Sequence, residues 1–367
     1  MSAPDLSIPD SFARRSRDGR GSGRGSEHPC ASRRQDSAPT VHRRSRIVRI
    51  PSVLNKLRTG LYISPVPAGV AAQLDRSLQR LMRYHRAAGS ADSLYDKTAR
   101  GLAVLAIALR KADHVQITTT NVELTIDGFP CRTYVAVPKP VQPGVRYPGI
   151  ILYSEIFQLT GPMCRIANRL AGYGFVVASP EIYHRTCPPG LVIAYDDPGR
   201  MYGNYLAHTT PVAHFDATAT AVFDHFETRD DLKRDSSGLS VGAMGFCIGG
   251  HLALRAALDP RCRAAVCAYP TGVHNGNLGA EPDAGTLARL TEIKGELLLA
   301  FGDVDPHVPV PARRAVRAAL QASGARHTYL ELPGEHAFMR DEGARYDPEM
   351  ADRVFVEAIA LYRRTFV

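Results

Sequence analysis

From about residue 115 onward, short apolar segments alternate along the chain with segments of helical periodicity. The stretch VELTIDGFPCRTYVAVP predicts a β-hairpin that turns at Asp127-Gly128. Further strands are predicted at YPGIILYS, FVVASP, VGAMGF, AAVCAYP, ELLLAFG and HTYLELP. Helices are predicted at MCRIANRLAGYG, PVAHFDATATAVFDHF, IGGHLALRAAL, VPARRAVRAALQAS and MADRVFVEAIALYRRTF. This alternation predicts a mostly parallel central sheet covered by helices on both faces, with functional groups beyond the carboxyl ends of the strands.

The chain before this domain has a different character. Residues 1–50 are rich in Arg, Ser and Gly and poor in large apolar residues, which predicts a disordered extension. An extension without a role, an organelle-targeting segment and a phosphate-binding tail all remain open for it, although its five acidic residues count against targeting. Residues 51–113 predict a linker and a basic helical segment, packed on the main domain or lying on a membrane surface. The main domain is expected to span residues 114–367.

Net charge is distributed unevenly along the chain. Residues 1–50 hold eleven Arg against five acids, and residues 51–110 hold nine basic against three acidic residues, so each part carries +6. The whole chain carries +9, which leaves 9 − 12 = −3 for the remainder. The basic balance therefore belongs to the front of the chain, and nucleic acid is not an expected partner except through that arm.

Composition excludes several further classes. The chain has 367 residues and seven cysteines, whose odd number and spacing suggest neither a disulfide framework nor a zinc site. No apolar run is long enough for a membrane span, and the N-terminus lacks the hydrophobic core of a secretory signal. These features predict a cytoplasmic protein with mostly reduced thiols and no metal.

The hexapeptide GFCIGG is the first candidate for chemistry. Cys247 follows a predicted strand and opens a predicted helix, with Gly245 and Gly249 two positions away on either side. This is the nucleophile-elbow pattern, Gly-x-nucleophile-x-Gly, with cysteine in place of serine. The helix N-terminus favours a thiolate, and the amide of Ile248 would point at a developing oxyanion. A buried cysteine on a tight turn is the structural alternative, and Cys262 and Cys267 are assigned to packing.

A hydrolase triad on this fold runs in the order nucleophile, acid, histidine. Downstream of Cys247, LLLAFGDVDPHVP offers Asp303 and Asp305 after an apolar strand, and YLELPGEHAFMRD offers His336 after the next one. The histidine would deprotonate and orient the thiol, and the aspartate would hold the imidazole in the correct tautomer. The three groups thus occur in the expected order, each at the carboxyl end of a strand.

Together these motifs identify a resemblance to the dienelactone hydrolases (carboxymethylenebutenolidases), which are α/β-hydrolases with a cysteine nucleophile. The resemblance covers about residues 115–367 and rests on SEIF, GFCIGG, DPHVP and EHAFMR. It maps the family's triad onto Cys247, Asp305 and His336, and it favours Asp305 over Asp303. In the family, a glutamate that matches Glu155 contacts the resting thiol and takes part in its activation. The amide that follows, here Ile156, is then the second oxyanion donor.

The resemblance also implies how the substrate is held. The family binds a substrate carboxylate with arginines, one of which matches Arg340, four residues past the catalytic histidine. Arg200 is the nearest candidate for the second arginine, although the spacing differs. The segment after the predicted strand FVVASP departs from well-known members, and its Tyr183 is expected to shape the pocket. Tyr269, after AAVCA, is a further expected pocket wall or a plain core residue.

The expected function is hydrolysis of a lactone or carboxylic ester, carrying a carboxylate, through a thioester acyl-enzyme that requires no metal or organic cofactor. A general esterase or thioesterase acting on another acyl group is the enzymatic alternative. A non-catalytic binding protein on the hydrolase fold is the alternative from another class.

Overall fold

The computed structural model describes residues 116–139 and 144–366. The predictions made for residues 1–50 and 51–113 lie outside this range and stay predictions. The described part holds ten strands, β1 to β10: Ile117–Ile126, Phe129–Pro138, Gly149–Tyr153, Val176–Pro180, Arg234–Asp235, Gly238–Leu239, Val241–Phe246, Cys262–Ala268, Glu296–Gly302 and His327–Leu332. It also holds six α-helices, α1 to α6: Gly161–Gly172, Asp197–Thr209, Val212–Thr228, Ile248–Ala256, Val310–Ser323 and Pro348–Thr365.

Eight of the strands form one sheet in the order β1-β2-β4-β3-β7-β8-β9-β10. The first two form the predicted hairpin, in which Asp127 (φ 50°) and Gly128 (φ 82°) both take the left-handed conformation that a tight hairpin turn requires. β2 pairs antiparallel with β4, and every later pairing in this sheet is parallel. The predicted mostly parallel α/β-hydrolase sheet is therefore confirmed.

Helices cover both faces of this sheet, as predicted. One face packs against α3, α4 and α5 through large side chains such as Phe223, Leu252 and Val316. The other face packs against α1 and α6 through side chains such as Leu170 and Phe355. The strands β3, β7 and β9 are almost wholly buried because each lies between two such layers, which explains their continuous apolar sequences.

The helix α2 was not predicted from the sequence. Its N-terminus carries a clear capping signal, because the side chain of Asp196 accepts a hydrogen bond from the amide of Gly199 (2.7 Å). Two glycines in its interior weaken the helical pattern. A Cβ at Gly203 would lie 2.8 Å from the carbonyl oxygen of Ile156, so this glycine lets α2 pack directly on the loop that follows β3.

Candidate active site

Cys247 lies in the sharp turn between β7 and α4. Its backbone has φ 57° and ψ −121°, a strained conformation for a residue with a side chain. Its amide donates to the carbonyl of Ala268 (3.1 Å), and its own carbonyl accepts from the amide of Thr271 (3.2 Å), so neighbouring backbone holds the turn in place. The side chain is partly exposed and lies at the wall of a cavity. This strain at a cavity wall is typical of a functional residue.

The flanking glycines are required by close backbone contacts. A Cβ at Gly245 would lie 1.9 Å from the carbonyl oxygen of Gly249. A Cβ at Gly249 would lie 2.4 Å from the carbonyl oxygen of Ser154, on the neighbouring strand end. No real Cβ tolerates such distances, so the turn can close only with glycine at both positions.

His336 and Asp305 form a direct pair beside this turn. Nδ1 of His336 lies 2.7 Å from Oδ2 of Asp305, and both residues are nearly inaccessible to solvent. The other oxygen of Asp305 accepts from the amides of His307 (2.7 Å) and Val308 (3.3 Å), which fixes the carboxylate. Asp303 is exposed and instead accepts from the amide of Gly334, so the structure brings Asp305, and not Asp303, to the histidine.

The environment of His336 favours its protonated form. Burial acts to lower the pKa of His336, but the charge of Cys247 and the hydrogen bond to Asp305 outweigh it and raise the pKa to about 10. Burial acts to raise the pKa of Asp305, but the hydrogen bond and charge of His336 hold it below its ordinary value. Because Nδ1 of His336 is engaged by Asp305, Nε2 is the nitrogen left to interact with the thiol.

Glu155 lies in the loop directly after β3, buried and facing the same cavity. Its Oε2 lies 3.2 Å from a terminal guanidinium nitrogen of Arg340, while its Oε1 has no hydrogen-bond partner among the described residues. Burial raises the pKa of Glu155 above its ordinary value, against the opposing charges of Arg340 and His336. Arg340 is also held over the ring of Tyr195, 4.3 Å from its centroid. The Glu155 carboxylate thus interacts with the charges of both Arg340 and His336.

The amides of Ile156 and Ile248 are both free to bind a ligand. Neither donates a hydrogen bond to another described residue, and both residues line the cavity. The amide of Ile248 is at the first position of α4, where a helix leaves its N–H groups without internal acceptors. Two such donors in the same cavity as a partly exposed sulfur can bind a developing negative charge.

These groups open into one cavity of about 480 Å³, a volume suited to a small molecule. Its lining includes Arg200 in addition to Glu155, Cys247, His336 and Arg340, so the structure brings most of the predicted site residues to one place. The side chain of Arg200 is 56% exposed, and its ion-pair partner among the described residues is Asp197 on its own helix.

A comparison with protein families decides the relationship. The model of the dienelactone hydrolase family matches residues 131–366. The chain belongs to this family. It is a dienelactone hydrolase-like hydrolase, and a small-molecule substrate follows from the family.

Named relatives agree with this assignment. A Saccharomyces cerevisiae protein named "putative carboxymethylenebutenolidase" is 38% identical over 220 residues, which cover 59% of this chain and 79% of that protein. The carboxymethylenebutenolidase of Pseudomonas putida is 24% identical over 199 residues, 54% of this chain and 78% of that one.

Solved structures show the same fold. A crystal structure described as a "putative dienelactone hydrolase", from Klebsiella pneumoniae, superposes with a TM-score of 0.57 at 23% identity, covering 68% of this chain and 99% of that one. A dienelactone hydrolase-like promiscuous phosphotriesterase from metagenomic libraries superposes with a TM-score of 0.54 at 21% identity, covering 68% and 98%. The α/β-hydrolase fold of the described domain is thus shared with members of this family.

The two predicted pocket tyrosines do not line the cavity of this family member. Tyr183 is buried, and its hydroxyl donates to the carbonyl of Gly203 (3.4 Å) behind the cavity wall. Tyr269 is also buried, and its ring packs edge-on against His336 with 5.0 Å between ring centroids. The core alternative given for Tyr269 fits this burial, and substrate contact by either tyrosine stays a prediction.

Sequence reasoning assigned no role to several residues that do line the cavity. Thr271 has its hydroxyl 3.9 Å from the sulfur of Cys247, and the ring of His307 lies 4.6 Å from that of His336. Arg345 also faces the cavity, from the loop that follows His336. His307 was visible within DPHVP, but Thr271 and Arg345 carried no sequence signal because only the folded loops bring them to the site.

Buried His251 supports the Thr271 segment from below. Burial and the charge of Arg255 lower the pKa of His251 to about 3, so the imidazole is neutral. Its Nδ1 lies 3.0 Å from the carbonyl of Thr271 and must donate, which leaves Nε2 to accept from the hydroxyl of Thr286 (2.8 Å). This arrangement fixes the segment that runs past the Cys247 sulfur.

The described ranges contain neither a metal-binding cluster nor a membrane-spanning helix. Within residues 116–139 and 144–366, no cluster of His, Cys, Asp and Glu side chains has an arrangement that could hold a metal ion. None of the helices in those ranges combines the length and apolar character needed to cross a bilayer.

Proposed function

We propose that this protein hydrolyses a lactone or carboxylic ester through Cys247, by way of a thioester acyl-enzyme. The observation that carries the proposal is the strained, partly exposed Cys247 next to the His336–Asp305 pair. A thiol against an imidazole that favours its protonated form can exist as a thiolate–imidazolium pair, which is a strong nucleophile.

In the first half-reaction, the Cys247 sulfur attacks the ester carbonyl carbon and a C–S bond forms. The carbonyl oxygen becomes an oxyanion, which the amides of Ile156 and Ile248 would bind. Collapse of this intermediate breaks the C–O bond, and His336 gives its proton to the leaving alkoxide. In a lactone the released hydroxyl group stays on the acyl chain.

In the second half-reaction, neutral His336 takes a proton from water, and the oxygen of this water attacks the thioester. The C–S bond breaks, the acid product leaves and the thiolate–imidazolium pair is restored. Asp305 would hold His336 in the correct tautomer and stabilise its charge through both halves.

Glu155 and Arg340 are proposed to link substrate binding to the state of the thiol. In the structure Glu155 is engaged by Arg340, which leaves Cys247 facing His336. A substrate carboxylate bound by the guanidinium of Arg340 would be recognised by paired N–H donors. The preferred substrate is therefore an ester or lactone that carries a carboxylate.

The test is hydrolysis of dienelactone and of 4-nitrophenyl esters of short acids by wild type and Cys247→Ala, with both shown to be folded by circular dichroism. Turnover by wild type and its loss in the variant would support the proposal. Equal turnover by both would contradict the nucleophile. If wild type hydrolyses none of these esters, and no further lactones or thioesters, a non-catalytic binding protein would be favoured.

A further inference from the structure

The cavity carries more positive charge than the proposed chemistry uses. Its titratable lining residues within the described part of the chain are Glu155, Arg200, His208, Cys247, His274, His307, His336, Arg340 and Arg345. Glu155 is the only carboxylate in that lining, and it is already engaged by Arg340. Arg200 and Arg345 therefore face the cavity without a carboxylate inside it to balance them.

His307 and these two arginines line the same cavity, and together they are called the cluster below. Burial lowers the pKa of His307, and the charges of His336, Arg345 and Arg200 lower it further. Asp305 acts in the opposite direction, but its oxygens are engaged by His336 and by the amides of His307 and Val308. Asp305 therefore presents no free oxygen to an anion that binds here.

The two arginines can turn towards such an anion at little cost. Arg200 pairs at 3.2 Å with Asp197, whose side chain is 86% exposed. Arg345 pairs at 3.1 Å with Glu335, whose side chain is 55% exposed. Exposed ion pairs of this kind contribute little to stability, so exchanging them for a ligand oxygen is readily compensated.

We propose that Arg200, Arg345 and His307 form a second anion subsite, separate from the Arg340 position, so that Arg200 does not share the first carboxylate with Arg340 as the family resemblance implied. This subsite rests on the proposed function, in which Arg340 binds a first carboxylate. It assigns the substrate to a narrower class: esters or lactones with two anionic groups, the second being a carboxylate or a phosphate.

Binding of non-reactive ligands tests the subsite without relying on catalysis. The affinities of succinate, glutarate and adipate for the Cys247→Ala protein are compared by titration calorimetry with those of butyrate, pentanoate and hexanoate. We expect at least one dicarboxylate to bind about tenfold or more tighter than the monocarboxylate of equal length, the effect typical of an added charge-assisted interaction. 3-Phosphonopropionate, compared with succinate, shows whether the subsite prefers a phosphate-like group.

Charge-neutral variants locate the effect. Arg345→Gln, and independently Arg200→Gln, should remove most of the dicarboxylate advantage and leave monocarboxylate binding unchanged. Arg314→Gln is the matched control, because Arg314 is exposed on α5 and does not line the cavity. Thermal melting curves verify that each variant is folded. If either Arg345→Gln or Arg200→Gln fails to fold, the other variant still tests the subsite.

Two results would overturn the subsite. One is equal affinity for dicarboxylates and monocarboxylates, or no measurable binding of any dicarboxylate at millimolar concentration. The other is an advantage that survives in both cluster variants. Failure of the proposed function is a separate result, because it is measured as absence of ester turnover by wild type and does not depend on the ligand affinities.

Discussion

Two cysteines on neighbouring strands show how position decides chemistry in this protein. Cys267 lies within β8, where it pairs in register with Gly245 of β7, and it is fully buried. Burial raises the pKa of its thiol far above the ordinary value, so it stays protonated. Cys247 lies two residues beyond Gly245, past the carboxyl end of β7, and reaches both the cavity and His336.

The two residues have the same side chain, and one lies within a strand and the other just past the end of the neighbouring strand, so composition does not separate them. The difference comes from the end of the strand, where the chain turns sharply and α4 begins. That turn exposes the sulfur to the cavity that the residues Ile156 and Ile248 also line, whereas Cys267 in the strand interior is packed against its neighbours. Substitutions at and around the two positions can test this contrast.

Replacing Cys247 should have the largest effect on activity. We expect Cys247→Ala to lower kcat/KM by about 10⁴-fold or more, the scale seen when a nucleophile of a triad is removed. Cys267→Ala is the matched control and should keep its activity. Steady-state ester hydrolysis measures both, and comparable losses in the two variants would remove the contrast.

Replacing Asp305 should weaken the proposed nucleophile through His336. We expect Asp305→Asn to lower kcat/KM by about 10²- to 10⁴-fold, because the imidazole loses its orienting partner. Its pH profile should change as well. Wild-type protein should lose activity when His336 loses its proton, so kcat/KM should fall as pH rises through the His336 pKa of about 10.

Without the Asp305 charge, the pKa of His336 drops and this alkaline limb moves to lower pH. The limb is measured as kcat/KM against pH, with Asp303→Asn as the control because Asp303 does not contact the histidine. An alkaline limb that stays in place in Asp305→Asn would contradict the assigned pairing.

Closing the turn with a larger residue should damage both fold and activity. Gly249→Ala places a Cβ 2.4 Å from a backbone oxygen, and we expect it to cost about 1–3 kcal/mol of unfolding free energy and most of the activity. Gly172→Ala on α1 has open space around its Cβ and should not destabilise the protein. Denaturant unfolding followed by circular dichroism distinguishes them, and equal stabilities would show that the turn tolerates a side chain.

Arg340 should affect charged substrates selectively. We expect Arg340→Gln to lower kcat/KM by about 10- to 100-fold for an ester that carries a carboxylate, and only a few-fold for a neutral ester. Arg353→Gln, which alters an exposed arginine on α6 outside the cavity, is the control. Equal losses on both esters would point to a role limited to holding Glu155.

The smallest expected effect is that of replacing Cys267, the buried cysteine. We expect Cys267→Ala to lower the unfolding free energy by about 1 kcal/mol, because a buried sulfur leaves a small gap in the core. Activity should stay at the wild-type level per folded molecule. Chemical denaturation measures the loss, and a stability cost without any loss of turnover is the pattern expected of a packing residue.

Much of this fold could be predicted because its strands are buried on both sides. Continuous apolar runs such as GIILY and ELLLAFG stand out against amphipathic helices, and the Asp127-Gly128 turn is a local signal. The helix α2 escaped detection because Gly203 is selected by its contact with the Ile156 carbonyl, which is a property of the folded molecule. The local sequence pattern therefore predicted the main strands and most of the helices, whereas the missed helix α2 depends on tertiary packing.

The candidate site divides in the same way. The Cys247 turn could be predicted from local sequence, because Gly245 and Gly249 are required by backbone contacts within a few residues or with the adjacent strand. Arg345 and Thr271 could not be found that way, because their place in the cavity depends on how separate loops meet. Whether Tyr183 and Tyr269 line the cavity likewise depends on how the folded segments pack, and both side chains are buried outside its lining.

The most direct test of the account is to trap the acyl-enzyme. Wild-type protein is mixed with 4-nitrophenyl acetate, quenched in acid within one turnover and digested for mass spectrometry. The account predicts a single acetyl group on the peptide containing Cys247, removable by hydroxylamine and absent from Cys247→Ala. An acetyl group on a different residue, or release of nitrophenol at the wild-type rate by Cys247→Ala, would contradict it.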